Sequence, residues 1–240
     1  MVKKSVMMKK NKSKINYPGW ELKFFDRSKN FRQYQLELMK KYIKGNVAEV
    51  GPGNGMNLNS YLGLPLKINL YEPTPRLFKN LKKNFNSIKK ILFYNKKFDG
   101  SKNKYNTILY LDVLEHIKDD QKEINKAFTS LKKGGSLIIN VPAFSHLYSQ
   151  FDKDVGHHKR YEKKDFDHLI SKLKVKDFEY IYYDSIGYLL SLMSKMLITN
   201  YKKNFGNKIK LWDSLIWISK ITDKLLFNCF GKSLIVIIRK

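Results

Sequence analysis

Two periodicities share this chain. Apolar residues at Phe31, Tyr34, Leu38 and Tyr42 recur at helical spacing, and Gly45 follows as a stop, so a helix is expected over 31–44. VAEV (47–50) is then a short, nearly continuous apolar run, the mark of a strand buried on both faces. The alternation repeats. Residues 56–62 read as a helix and 66–72 as a strand. Pro75 opens a helix carrying Leu77, Phe78, Leu81 and Phe85 on one side, and strands follow within 88–95 and 105–117. Asp119 is placed to cap a helix with Ile124, Ala127, Phe128 and Leu131, expected to stop at Gly134-Gly135. A fifth strand, 136–142, ends at Pro142. Strands at 175–183 and 233–238 complete seven. Strands and helices alternating at this interval predict an α/β fold with a mostly parallel sheet covered on both faces, whose ligands sit beyond the C-terminal strand ends.

Residues 185–230 break the rhythm. Where a short link would join the last two strands, the chain carries helical runs, GYLLSLMSKMLI and LWDSLIWISKITDKLLFNCF. Leu211, Leu215, Ile218, Leu225 and Cys229 fall on one predicted face. Lys195, Asp213, Lys220, Asp223 and Lys224 interrupt these runs, so they are too short to span a bilayer. Trp20, Phe24 and Phe25 precede the first predicted helix, and either cover a site or pack on the sheet.

The stretch after the first strand carries the chemistry. In E-x-G-x-G-x-G, Glu49 precedes Gly51, Gly53 and Gly55. A phosphate-cradling loop needs a Lys-Ser/Thr ending that is absent here, and the sixth place of a dinucleotide fingerprint is Met56 instead of glycine. A carboxylate beside the loop suits a cationic ligand and repels a phosphate. Glu72 ends the second strand, where a carboxylate can accept both hydroxyls of a ribose.

Charge adds less than its size suggests. The net charge is +26, but only five of 47 basic residues are Arg, and Arg is the residue of bidentate phosphate and base contacts. Lys is spread along the whole chain as a compositional bias. Nucleic acid is therefore not the expected partner, while anionic small molecules or lipid headgroups remain compatible. The first 14 residues hold six Lys and no apolar core of a signal peptide, so residues 1–27 read as a basic tail, with a lid as the alternative, and 28–240 as one domain with a helical insertion at about 185–230. A single cysteine, Cys229, supplies neither a disulfide nor a thiolate zinc site, which fits a cytoplasmic setting, with peripheral membrane contact as the sharper alternative; no metal is expected.

Glu49, Gly51, Gly53 and Gly55, with YNTILYLDVLEHIKDD (105–120) and LKKGGSLIINVPA (131–143), resemble the class I S-adenosylmethionine-dependent methyltransferases. FDKDVGHHKRY (151–161) narrows the resemblance to a bacterial subgroup with G-H-x-[RK]-R-Y after the fifth strand. The likeness covers about residues 28–240. It implies a Rossmann-like three-layer sandwich whose seven-stranded sheet has an antiparallel last strand, and S-adenosylmethionine as cofactor. By the same resemblance, Glu49 and the three glycines lie at the methionine part, and Glu72 and Pro73 at the ribose. Asp112, Val113, Leu114 and His116 border the cofactor, with Glu115 shaping the turn. Asn95 or Asp99 is expected at the adenine. His157 or His158 is the expected general base, with Arg160 and Tyr161 at the substrate; the alternative is a fixed turn clamped by Asp152 and Arg160. The acceptor read from this is a small molecule, a sugar or a lipid-linked compound, against RNA or protein methylation or a non-catalytic binding role. The oligomeric state is left open.

Overall fold

The computed structural model describes residues 17–196 and 201–240. The basic stretch 1–14 lies outside the described residues. The core is one seven-stranded sheet in the order β3-β2-β1-β4-β5-β7-β6. Its strands are β1 (Asn46–Val50), β2 (Lys67–Tyr71), β3 (Ile91–Tyr94), β4 (Tyr105–Leu111), β5 (Leu131–Pro142), β6 (Phe178–Tyr183) and β7 (Ser233–Arg239). The first five run parallel. β7 inserts antiparallel between β5 and β6. Strand order reverses between β1 and β4, and the crevice there opens at the C-terminal strand ends.

Side-chain alternation gives the central strands two buried faces. In β4, Leu109 and Leu111 point to one layer, Ile108 and Tyr110 to the other. The first layer holds α2 (Lys29–Met39), α3 (Leu58–Tyr61) and α4 (Pro75–Phe85), whose N-terminal proline is pre-set for the first turn. The second holds α5 (Asp120–Ser130) and α7 (Lys163–Ser171). A short α1 (Leu22–Phe25) precedes these elements, and α6 (Gln150–Val155) lies between β5 and α7.

Three expectations need correction. The helix over 31–44 tightens into a 3-10 turn at Lys40–Tyr42. The helix capped by Asp119, whose carboxylate accepts from Lys122 N at 3.1 Å, ends at Ser130 and not at Gly134-Gly135. Leu131 already pairs with Tyr105, so sheet pairing claims the residues that helical propensity alone would have extended. The insertion forms α8 (Ser185–Met196), α9 (Phe205–Ser214) and α10 (Ile216–Leu225), and the break at Leu215 resets the helical phase. Ile209, Trp212, Ile216, Ser219 and Asp223 are buried, whereas Leu211, Leu225 and Cys229 of the expected face are exposed. Asp223 anchors this packing by accepting from the backbone N–H of Asp184 and Ser185 at 2.6 and 2.9 Å and from Tyr34 OH at 2.9 Å. Among the described residues no helix is long and apolar enough to cross a membrane.

Candidate active site

β1 hands the chain to the glycine loop at the crevice. Gly51 has φ +67°, and a Cβ there would stand 2.8 Å from Val113 Cγ2. Only hydrogen lets the loop lie against the turn after β4. Gly53 N donates to Glu72 Oε2 at 3.0 Å and Thr74 N to Oε1 at 2.7 Å, so Glu72 braces the loop while its carboxylate faces the cavity. Burial raises this carboxyl above its ordinary range against those two bonds. Glu49 lies beneath the loop. Tyr61 OH donates to its Oε2, and its Oε1 has no partner. Burial pushes the Glu49 carboxyl up to about 7, opposed by Tyr61 and Arg32. An orphaned buried carboxylate oxygen beneath this loop fits a ligand carrying an ammonium group.

After β4 the chain kinks at Asp112, φ +59°. A buried relay fixes it: Gln35 Nε2 donates to Tyr183 OH, Tyr183 OH to Asn140 Oδ1, and Asn140 Nδ2 to Asp112 Oδ1, at 3.0, 2.9 and 2.7 Å. Arg32 reaches in from α2, donating to Asn57 Oδ1 at 2.7 Å and standing 3.6 Å from Asp112 Oδ2.

The cavity beyond these strand ends has a volume of about 640 Å³, within the range of small-molecule sites. At one end stand Glu115, His116 and His157. Glu115 is 1% exposed and neither carboxylate oxygen has a hydrogen-bond partner. Burial, then the charge of Asp112, raises its carboxyl well above the usual range. His116 Nδ1 is 3.1 Å from Gly156 O, and burial lowers its imidazole to about 4. His157 Nδ1 is 2.8 Å from Asp152 Oδ1, leaving Nε2 3.8 Å from Glu115 Oε1. Local sequence dictates this. Ser149 and Asp152 form a capping box at the start of α6, and Gly156, φ +85°, turns the chain so that His157 folds back on Asp152. Arg160 closes the other side of the same carboxylate with Nε and Nη2, at 3.0 and 3.1 Å. Burial would raise Asp152, but His157 and Arg160 together hold it down at about 2.

Of the residues singled out from the sequence, Gly51, Gly53, Glu72 and Pro73 share the cavity wall with Asp112, Val113 and His116, and with His157, His158 and Arg160. Arg160 reaches that wall with its guanidinium already committed to Asp152, as in the clamp alternative. His158 is exposed at the rim, its backbone N–H held by Glu115 O at 2.7 Å. Glu49, Gly55 and Leu114 lie behind the wall. Three residues fall elsewhere. Tyr161 is fully buried, donating to Asp120 Oδ2 and Leu114 O at 3.1 and 3.3 Å, and does not reach the cavity. Asn95 donates to Glu72 O at 2.8 Å behind the wall. Asp99 pairs with Lys96 beside a separate hollow, so Lys97 is the residue after β3 that lines the cavity. The sequence reading missed Arg32, Asn57 and Lys232. Arg32 is five residues past Arg27 in a polar stretch with no motif, and Lys232 is one Lys among many; burial lowers its ammonium, which lies 4.4 Å from the Trp212 ring.

The roof is aromatic. Trp20 contacts Phe24, Phe151, Tyr201 and Phe205, while Phe25 packs on Phe151, Phe205 and Trp212 and lines the cavity. The segment before α2 thus meets α6 and α9 over the crevice.

Residues 23–183 match the family model of a methyltransferase domain. No curated protein sequence matches. Among solved structures the chain is similar to a S-adenosylmethionine-dependent methyltransferase from Archaeoglobus fulgidus, at 14% identity and a TM-score of 0.63 over 92% of this chain and 100% of that one. It is also similar to phosphoethanolamine N-methyltransferase 2 of Haemonchus contortus, solved with S-adenosyl-L-methionine, at 13% identity and a TM-score of 0.58 over 91% of this chain. It spans only 59% of the Haemonchus chain. Two thirds of the sequence falls within the family model, on a Rossmann-like sheet ordered as the class I resemblance requires, and the chain therefore belongs to the methyltransferase domain family.

Proposed function

We propose that this enzyme methylates a hydroxyl oxygen of a small-molecule acceptor, with Glu49, the glycine loop and Glu72 holding the cofactor and the acceptor's hydroxyl lying at the Glu115–His116–His157 group. One observation carries the reading: that group, with an Asp152-held imidazole, faces the same cavity as the glycine loop. When bound, S-adenosylmethionine supplies a methyl group on a positively charged sulfur. From behind the cavity wall Glu49 would attract the ammonium of its methionine part, directly or through water, and Glu72 would offer a lone pair on each oxygen to the ribose hydroxyls. A hydroxyl must lose its proton to become a good nucleophile, and a site poised for that step contributes roughly 10²–10⁴-fold. Of the two histidines expected as base, His157 reaches this place and His158 stays at the rim. Arg160, neutralised by Asp152, gives no support to an acidic acceptor.

A lipid-borne hydroxyl is a second reading, favoured by Trp217, Ile221, Leu225 and Phe227, all more than half exposed on and after α10 beside Lys220 and Lys224. Methyl-labelled cofactor is offered with phenols, sugar alcohols and amines, free and with lipid-linked hydroxyls in anionic vesicles. Label in alkali-stable methyl ethers is the expected result, and label confined to amines overturns the oxygen reading.

Glu49 makes cofactor binding pH-dependent. Its carboxyl, raised to about 7 in the free protein, is protonated below that pH and gains a cationic partner only when ionised. Affinity for S-adenosylhomocysteine is therefore expected to rise as pH increases through about 7, with proton release on binding. Calorimetric titrations between pH 6 and 8, in buffers of differing ionisation heat, check this; Glu49→Gln flattens the profile.

A further inference from the structure

Glu115 poses an unresolved problem. Its carboxyl group is buried with neither oxygen bonded, and His157 Nε2, 3.8 Å from Oε1, stands beyond hydrogen-bond distance. A ligand that reaches these oxygens would satisfy them.

The neighbouring rings show what. His157 Nδ1 faces the Asp152 carboxylate, and His116 Nδ1 faces the Gly156 carbonyl. Both acceptors lack a proton, so each Nδ1 carries the hydrogen, and Nε2 is the atom of each ring left to take a ligand. Imidazoles held through Nδ1 by a carboxylate or a backbone carbonyl are how proteins aim Nε2 at a metal. Glu115, His116 and His157 each offer one ligand atom, all within 4.8 Å of one another. Adjacent ligands of a cation bound at about 2.1 Å stand roughly 3 Å apart, so a small closing of the three side chains completes the set. The surroundings favour a cation too, for although the chain is strongly basic, this wall carries more carboxylates than ammonium and guanidinium groups.

We propose that Glu115, His116 and His157 bind one divalent transition cation, and that its open positions take the oxygen of the methyl acceptor. Two imidazoles and one carboxylate select ions such as Mn²⁺, Fe²⁺, Co²⁺ or Zn²⁺ over Mg²⁺ and Ca²⁺, which prefer all-oxygen sets. Three ligands leave room for substrate, as at catalytic metal centres. The cation acidifies the hydroxyl it holds and fixes its direction. The hydroxyl proton leaves to water through the cavity mouth. The C–O bond forms as the C–S bond breaks, and the sulfur departs as a neutral thioether. The proposal departs from the metal-free expectation drawn from the lone cysteine: the three side chains are brought together by the turn after β4 and the turn after α6, a juxtaposition no local spacing announces.

The inference rests on the oxygen-methylation reading for its role, not for the site itself. The full chain is freed of metal with a chelator and titrated with Co²⁺, followed by visible absorption and by thermal unfolding. One Co²⁺ per chain, a visible band and a raised Tm are expected. In Glu115→Gln and His157→Asn the affinity falls at least about tenfold while S-adenosylhomocysteine still binds. Methyl transfer stops in chelator and returns with Mn²⁺ or Co²⁺. A chain that binds S-adenosylhomocysteine but no cation overturns the metal site and leaves the methyl-transfer reading intact. Transfer that ignores the chelator yet fails in His157→Asn also overturns it, making His157 the free base. Cation binding with transfer only to amines keeps the site and overturns the acceptor reading.

Discussion

Replacing Glu72 by alanine is expected to weaken S-adenosylhomocysteine binding at least about a hundredfold. Two effects combine. The ribose loses its acceptor, and Gly53 and Thr74 lose the carboxylate that orders the loop in the free protein. Hydrogen bonds to a charged group contribute about 1.5–3 kcal/mol each, and two of them exceed the 2.7 kcal/mol that a hundredfold represents. Glu72→Gln keeps one acceptor oxygen and falls between. Calorimetric titration measures the loss, with a thermal melt showing each variant folded. An unchanged affinity in Glu72→Ala would remove this residue from the cofactor site.

Asp152→Ala acts on stability. The carboxylate is fully buried and receives Ser149 N, His157 Nδ1 and two nitrogens of Arg160, itself 7% exposed. Removing it leaves a buried guanidinium unpaired, at a cost of about 3–5 kcal/mol. At 2–4 °C per kcal/mol for a chain of this size, Tm should fall by roughly 10 °C. The pH sign follows from the same contacts. The folded carboxyl is held at about 2, below its ordinary value of 3.8, so its contribution is complete above about pH 4 and fades as pH falls toward 2. Wild type should lose stability across that window and Asp152→Ala should lose less. A variant melting within a degree or two of wild type would show that Arg160 finds another partner.

The sheet was legible because each strand is a short apolar run bounded by glycine, proline or a cap, and because a loop such as Gly51-Pro52-Gly53-Asn54-Gly55 has few uses. Glu72 was legible for the same reason: its place at a strand end follows from chain order. What stayed hidden depends on three-dimensional partners. Asp99 and Asn95 were equal candidates until Lys96 and the Glu72 carbonyl claimed them. Tyr161 sits in a motif pointing at the site, yet Asp120 and Leu114 draw its hydroxyl inward. The buried face of α9 and α10 was misread because periodicity assumes one unbroken helix, and because polar Asp223 and Ser219 were not counted as core. Asp223 is buried for its backbone partners, not for its hydropathy.

β6 leaves the sheet at Tyr183 and β7 enters it at Ser233, and these two residues face each other in the ladder. Everything between them begins and ends at a single rung. Lengthening such an excursion costs the sheet only loop-closure entropy, about 0.6 kcal/mol per doubling of its length. The floor of the cavity, made of the ends of β1, β2 and β4, is fixed by the pairings of these strands with one another, away from the β6–β7 rung. The strand-end floor and the roof are thus separable parts: natural variation or design can exchange the covering helices, and with them the shape admitted, provided the bonds that α2, which carries Arg32, makes to Asp213 and Asp223 are kept.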